Sequence, residues 1–277
     1  MKGSKLVKID EMCLKASAYK LREHFANKLS YSLKKPTFNW YTRYLYHVNL
    51  RKHSKLLESA AVDACNLRPG EYVLEIGFGK GYGLQLAVEH VAPTTCSYMK
   101  SSTTKLLLQK FLDSPFLHSE TFKNDGHVYG VEISEYMIRK AKWRLWPYIY
   151  VNRVDLQLRS VDHLPYPAST FDACFHVDCF YFWPCLITSL KNIWRILRPD
   201  GRLVTTFQTK HLSDLSKRGW FQYGNPDPLT YVLALERSGY DRIEWIKCPT
   251  VDINSKESYD CIIAYKPIVR LLSAPQC

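Results

Sequence analysis

From residue 72 onward the chain alternates short β-rich apolar runs with longer stretches whose apolar residues recur every three or four positions. That alternation predicts βαβ units in a parallel sheet. The first strand is read over Tyr72–Ile76 and its helix over Tyr82–Val91. A second strand, Val128–Glu132, leads to a helix with Ser134 as N-cap and Met137, Ala141 and Leu145 every four residues. Further strands fall near Leu156–Arg159 and Ala173–Val177. The helix Leu186–Leu197 carries Leu186, Leu190, Ile193, Trp194 and Leu197 on one face. It is expected to stop at Pro199-Asp-Gly201, with the glycine as its left-handed residue. Strand Arg202–Phe207, a helix over Pro228–Arg237 and strands near Arg242–Lys247 and Tyr259–Tyr265 complete the pattern. A loop rather than a helix joins the last two strands, which predicts an antiparallel hairpin at one sheet edge.

The expected fold is α/β: a doubly wound, mostly parallel seven-stranded sheet with an antiparallel C-terminal hairpin and an N-terminal helical extension. Residues 1–66 read as the basic helical extension and residues 67–277 as the main domain. Between 92 and 126 the connection is far longer than the usual 2–6 residues of an αβ loop. It reads as a Ser-, Thr- and Lys-rich surface insert with a short helix over Lys105–Leu112.

Charge adds one feature. The net charge of +12 is concentrated at the start: residues 1–57 hold 13 Lys/Arg against three Asp/Glu. Such an arm suits nucleic acid or an anionic surface, or forms a solvated helix face. Within it Leu14, Ala18, Leu21, Phe25 and Leu29 keep helical spacing, so one stripe is expected to pack. No run approaches the ~18 apolar residues of a membrane span. Nine scattered cysteines without a C-x-x-C pair fit a reducing, cytoplasmic setting. A mitochondrial presequence is the alternative, and Asp10, Glu11 and Glu23 count against it. Cys174, Cys179, Cys185 and His176 are read as residues in and after a strand, not as a metal cluster.

Candidate chemistry centres on Val73-Leu-Glu-Ile-Gly-Phe-Gly-Lys-Gly-Tyr-Gly83. A buried apolar run ends in one carboxylate, and glycines follow at alternate positions before a helix. Glycines there let the backbone approach a ligand and adopt positive φ. A dinucleotide fingerprint would need glycines in the order G-x-G-x-x-G. Starting from Gly77 the last place is Tyr82, and starting from Gly79 it is Leu84. The E-x-G-x-G-x-G form instead resembles the first motif of class I S-adenosylmethionine-dependent methyltransferases, with their Rossmann-like sheet.

Three further segments are similar to that family in the right order. They are Glu132 in Tyr129-Gly-Val-Glu-Ile-Ser134, the stretch Ser160–Phe175, and Leu197-Arg-Pro-Asp-Gly-Arg-Leu-Val204. Upstream, Leu33-Lys-Lys-Pro-Thr37, Asn49 and Leu67-Arg-Pro-Gly-Glu71 look like the type 11 methyltransferases of undefined substrate. The resemblance implies S-adenosyl-L-methionine as cofactor. It places the ribose diol on Glu132 with Ile133 beside it, leaves Glu75 to hold either the glycine loop or the methionine amino group, and has the turn Gly77, Phe78, Gly79 and Gly81 shape the backbone around the ligand. Adenine falls to Ser160, Val161 and Asp162, although the family often has an acid where Ser160 stands. By analogy Phe38, Trp40, Tyr41, Tyr44 and Tyr46 would form part of a lid.

Methyl transfer needs a base only when the acceptor carries a proton that must leave. Asp178, just past the fourth strand, is the first candidate, followed by Tyr181 and His176. Phe180, Phe182 and Trp183 could stack on a flat acceptor or meet the sulfonium by cation–π attraction. The N/D-P-P-Y element of base-amino methyltransferases is missing after that strand, where Val177-Asp-Cys-Phe-Tyr-Phe-Trp-Pro184 stands. The paired-glutamate loop of arginine methyltransferases is missing too. A small-molecule acceptor is therefore the expectation. The alternatives are an inactive cofactor-binding scaffold working through its basic arm, and a dinucleotide oxidoreductase.

Overall fold

Seven strands lie in the order β3-β2-β1-β4-β5-β7-β6 in the computed structural model, which describes residues 27–28, 30–38, 51–101, 124–217, 219, 225–249 and 258–268. Helix α1, Arg51–Cys65, leads into β1, Tyr72–Ile76, followed by α2, Tyr82–Val91, and α3, Pro93–Ser101. Then come β2, His127–Glu132; α4, Glu135–Tyr150; β3, Val154–Leu158; and β4, Phe171–Val177. A 3-10 turn, Phe180–Phe182, precedes α5, Leu186–Ile196, and β5, Leu197–Phe207. Helices α6, Thr209–Lys217, and α7, Pro228–Arg237, lead to β6, Asp241–Pro249, and β7, Ser258–Tyr265.

The first five strands pair in parallel, with Glu75 opposite Gly130 on one side and Phe175 on the other. The apolar residues of the central strands β2, β1, β4 and β5 are largely buried on both faces, as helices covering both sides of a parallel sheet require. One core holds Ala61, Leu84, Ala87, Ala141 and Leu145 from α1, α2 and α4. The other holds Leu190, Ile193, Tyr231 and Leu235 from α5 and α7. Strands β5/β7 and β7/β6 run antiparallel, and β6 forms the largely exposed edge. The expected C-terminal hairpin is in place.

Helix α1 belongs to the sheet and not to a separate unit, so the boundary read after residue 66 divides no core. Leu57, Ala61, Val62 and Cys65 are buried, and Thr206 Oγ1 donates to the Leu57 carbonyl at 2.8 Å. Arg202 ties the helix end down by donating to the carbonyls of Cys65 and Asn66 and pairing with Glu71 at 2.6 Å. Residues 1–26, where the stripe Leu14–Phe25 falls, lie outside the described residues, as do Leu29, Asn49, the insert helix at 105–112 and four of the five lid aromatics. The insert's two ends meet at Asp125, whose carboxylate accepts from Thr95 N at 2.7 Å and Thr95 Oγ1 at 2.6 Å.

One local expectation is corrected. The left-handed residue of this helix-to-strand turn is Asp200, φ 65°, inside the span of β5, and not Gly201. Gly201 is required for a different reason: a Cβ there would sit 2.7 Å from the Arg198 carbonyl oxygen.

Candidate active site

The order of strands reverses between β1 and β4, and a cleft of about 530 Å³ opens at the carboxyl ends of these strands. Open α/β sheets bind ligands at such a switch point. The glycine turn forms one wall. Gly77 N–H donates to the Val131 carbonyl at 2.8 Å, and Gly77 has φ 74°. A Cβ on it would meet Cys179 Sγ at 3.3 Å, so the turn after β1 packs tightly on the residues just past β4. Gly79, φ 51°, lines the cleft with no atom within 4 Å of where a Cβ would stand. The Phe78 side chain is buried beneath Gly130 and anchors the turn in the core.

Gly81 has another task. It caps α2 in the left-handed conformation, φ 75°, and a Cβ there would sit 2.8 Å from Leu145 Cδ1 of α4. It serves helix packing and lies outside the cleft lining, which corrects its reading as a ligand-shaping residue.

Glu132, at the end of β2, faces this turn. Its Oε2 accepts from Gly79 N at 3.1 Å, while Oε1 accepts from Ile133 N at 2.8 Å and Ser134 N at 3.0 Å. A carboxylate has about four acceptor sites, so Oε2 keeps capacity for a hydroxyl donor. Burial raises the Glu132 pKa, and the three N–H bonds oppose that rise. Ser134 then caps α4, accepting from Met137 N at 3.2 Å while its hydroxyl donates to the Pro36 carbonyl. That contact, with the Phe38 and Tyr136 rings 5.7 Å apart, brings the N-terminal segment to the cleft, where Leu33, Lys34 and Pro36 line it.

Glu75 is 1% exposed, and its Oε2 has no hydrogen-bond partner among the described residues. Burial holds its carboxyl well above the usual range, and the Glu58 and Glu132 charges add to the rise. A side chain on Gly83 would strike the Glu75 carboxyl at 2.7 Å. The last glycine of the motif therefore makes room for an acid.

Glu58 is the residue that sequence reasoning missed. It projects from α1 into the cleft, where Oε2 accepts from Gly83 N at 2.8 Å and Oε1 accepts from Ser54 Oγ at 2.5 Å. The available signal was a lone carboxylate among Leu57, Ala60, Ala61 and Val62 in an otherwise basic arm. Burial raises its pKa against hydrogen bonds from Ser54 and Gly83 and the charges of Arg144 and Lys80.

Of the residues expected to meet adenine, Ser160 and Val161 line the cleft, as does Ile133, but Asp162 does not. Its carboxylate accepts from Ser189 Oγ at 2.6 Å, and its carbonyl accepts from Asn192 Nδ2 at 2.7 Å. It fastens the loop to α5. On the opposite side Asp178, buried Tyr181, Phe182 and Trp183 line the cleft, with His211 and Leu215 from α6. Asp178 adopts φ 46° and donates its N–H to the Thr206 carbonyl at 3.1 Å. Burial, then the Glu58 charge, push its carboxyl up to about 7.

His176 is removed from the set of candidate bases. It is fully buried outside the cleft lining, with Nε2 2.8 Å from the Tyr231 hydroxyl and Nδ1 3.1 Å from Thr205 Oγ1. Burial pushes its pKa down to about 3, so it is a neutral core residue.

Comparison with known proteins bears on the family and the fold. A family model described as a methyltransferase domain matches residues 115–205, taking in Glu132 and the Ser160–Phe175 stretch. The matched stretch is similar to a methyltransferase domain, and the fold is the one class I S-adenosylmethionine-dependent methyltransferases share. S-adenosyl-L-methionine is the cofactor of this domain. The uncharacterized methyltransferase YdaC of Bacillus subtilis is 24% identical over 157 residues, 57% of this chain and 67% of that protein. A demethylmenaquinone methyltransferase of Symbiobacterium thermophilum is 27% identical over 158 residues, 57% of this chain and only 51% of its own length. The solved S-adenosylmethionine-dependent methyltransferase of Aquifex aeolicus shares the fold with a TM-score of 0.55 at 16% identity, covering 83% of this chain and 99% of that one.

Proposed function

We propose that the cleft binds S-adenosyl-L-methionine along the glycine turn and Glu132, and that the protein methylates a small-molecule acceptor held against Asp178, Tyr181, Phe182 and Trp183. The observation that carries this reading is the Gly79–Glu132 contact of 3.1 Å, with open space above Gly79. A turn without side chains beside a buried carboxylate suits a ribose diol, and the partnerless Glu75 Oε2 suits a cationic ammonium group. When bound, the cofactor supplies an electrophilic methyl carbon on a sulfonium.

The protein's part is alignment, exclusion of water and proton acceptance. Phe182 and Trp183 offer apolar walls for a flat acceptor. Asp178, with a pKa near 7, is about half ionised at neutral pH, which suits a general base. An Asp178 carboxylate oxygen would accept the proton that such an acceptor releases on methylation. Lys34, Lys55, Lys80, Lys140, Arg144 and Arg159 line the cleft as well, so its mouth is basic over an acidic floor.

Two measurements test the reading. Calorimetry with S-adenosylhomocysteine should give saturable heat with wild-type protein and a much weaker isotherm with Glu132→Ala. Labelled S-adenosylmethionine incubated with a metabolite extract should transfer label to small molecules, and should do so far more slowly with Asp178→Asn. Absence of binding, or label found only on macromolecules, would overturn it.

A further inference from the structure

Helix α4 shows three different stripes. Met137, Ile138, Ala141 and Leu145 are buried against the sheet. Tyr136, Lys140 and Arg144, four residues apart, line the cleft. The third stripe, Arg139, Trp143, Trp146 and Tyr150, keeps the same helical spacing and points outward. Trp143 is 85% exposed, Trp146 49% and Tyr150 52%. Single exposed aromatics are ordinary, but three in one row on a rigid helix form a patch.

The charges around the patch have one sign. Arg139, Lys140, Lys142 and Arg144 are all exposed, and the only acid of the helix is Glu135 in its first turn. Trp and Tyr favour the headgroup level of a bilayer, where an apolar ring and a polar N–H or O–H are both satisfied. Lys and Arg beside them attract anionic headgroups. We propose that this outer stripe of α4 docks on an anionic phospholipid surface. The two tryptophans and Tyr150 enter the headgroup layer, and Arg139 and Lys142 meet lipid phosphates and carboxylates.

The geometry gives the docking a consequence. The stripe that lines the cleft lies beside the docking stripe on the same helix, so a docked molecule holds its cleft mouth close to the lipid surface. An acceptor carried in the bilayer would reach the cleft without crossing bulk water. No helix among the described residues is long and apolar enough to cross a membrane, so the attachment is peripheral.

Co-sedimentation of the full chain with vesicles tests this independently of methyl transfer. Vesicles of phosphatidylcholine containing about one third phosphatidylserine should bring the protein down, and pure phosphatidylcholine vesicles should do so far less. The double variant Trp143→Ser/Trp146→Ser should bind at least tenfold more weakly while keeping its melting temperature and its affinity for S-adenosylhomocysteine. Failure of the wild type to sediment overturns the proposal. So does a double variant that binds like wild type, because the basic N-terminal arm alone would then be responsible. Tighter binding to single-stranded RNA than to vesicles, lost in the same variant, would assign the stripe to nucleobase stacking and overturn it as well.

Discussion

The Glu58 carboxylate accepts from the Gly83 backbone N–H at 2.8 Å, joining a helix upstream of the sheet to the first turn of the helix that follows the glycine motif. The bond satisfies one of the orphan N–H groups at the start of α2 and sets a negative charge at the positive end of the helix dipole. It also places a third acid beside Glu75 and Asp178, whose pKa values it raises. One residue of the N-terminal arm thus supports both the glycine turn and the electrostatics around Asp178.

Two substitutions at this position should part company. Glu58→Ala leaves the Gly83 N–H buried without an acceptor, which costs about 1–3 kcal/mol. In a chain of this size that lowers the melting temperature by roughly 2–4 °C per kcal/mol. Glu58→Gln keeps an acceptor but removes the charge, so the loss should be smaller. In that variant the Asp178 pKa should fall below its wild-type value, because the Glu58 charge helps to raise it. Carboxyl-carbon NMR titration of both proteins reads the change; an unaltered Asp178 titration would contradict the coupling.

The glycine turn offers a second contrast. Alanine at either Gly77 or Gly79 imposes a left-handed conformation that costs about 1–2 kcal/mol. At Gly77 the new methyl also presses on Cys179 Sγ, so thermal stability should fall further than the strain alone predicts. At Gly79 the methyl enters open cleft, so the stability loss stays near the strain cost while affinity for S-adenosylhomocysteine falls at least tenfold. Melting curves and calorimetry on the same two proteins separate these outcomes.

Strand positions, helix faces and the glycine turn were legible because burial on both sheet faces forces continuous apolar runs and the cleft forces bare backbone. Other features depend on contacts that no local pattern encodes. Glu58 gains its role from an N–H 25 residues away, and Asp162 is withdrawn from the cleft by Ser189 across 27 residues. Residues two apart in a strand share a face, which is why His176 and Asp178 read as neighbours in one site. The strand ends at Val177, and Asp178 turns left-handed, so the shared face is broken and only Asp178 reaches the cleft. Gly81 resembles its neighbours in sequence, yet the side chains of α4 decide its use.

His176→Ala should behave as a core mutation. It removes ring packing and strands the Tyr231 and Thr205 hydroxyls, for a loss of about 2–4 kcal/mol. The folded protein should bind S-adenosylhomocysteine as wild type does, and the pH dependence of its methyl transfer should be unaltered. A residue acting as base would give the opposite result, intact stability with lost turnover.

The last prediction concerns Asp178 and the dependence of stability on pH. Its native pKa of about 7 stands above the ordinary 3.8, so between these values the folded chain holds a proton that the unfolded chain has released. The contribution of Asp178 to stability must therefore fall as pH rises through that window and level off above it, the reverse of an ion-paired carboxylate. A tenfold difference in proton affinity between folded and unfolded chains is worth about 1.4 kcal/mol at most, and partial solvent access at Asp178 reduces this. Asp178→Asn, always neutral, should gain stability over wild type progressively from pH 4 to pH 7, with little further gain beyond. The buried Glu58, Glu75 and Glu132, also raised, contribute a slope of the same sign in both proteins, and the buried His127 and His176, lowered, oppose it, so the difference between the two proteins isolates Asp178. Urea denaturation across this pH range measures the difference directly. A wild-type protein whose advantage over Asp178→Asn grew with pH would show that the carboxylate is stabilised in its charged form, and would remove it as the proton acceptor.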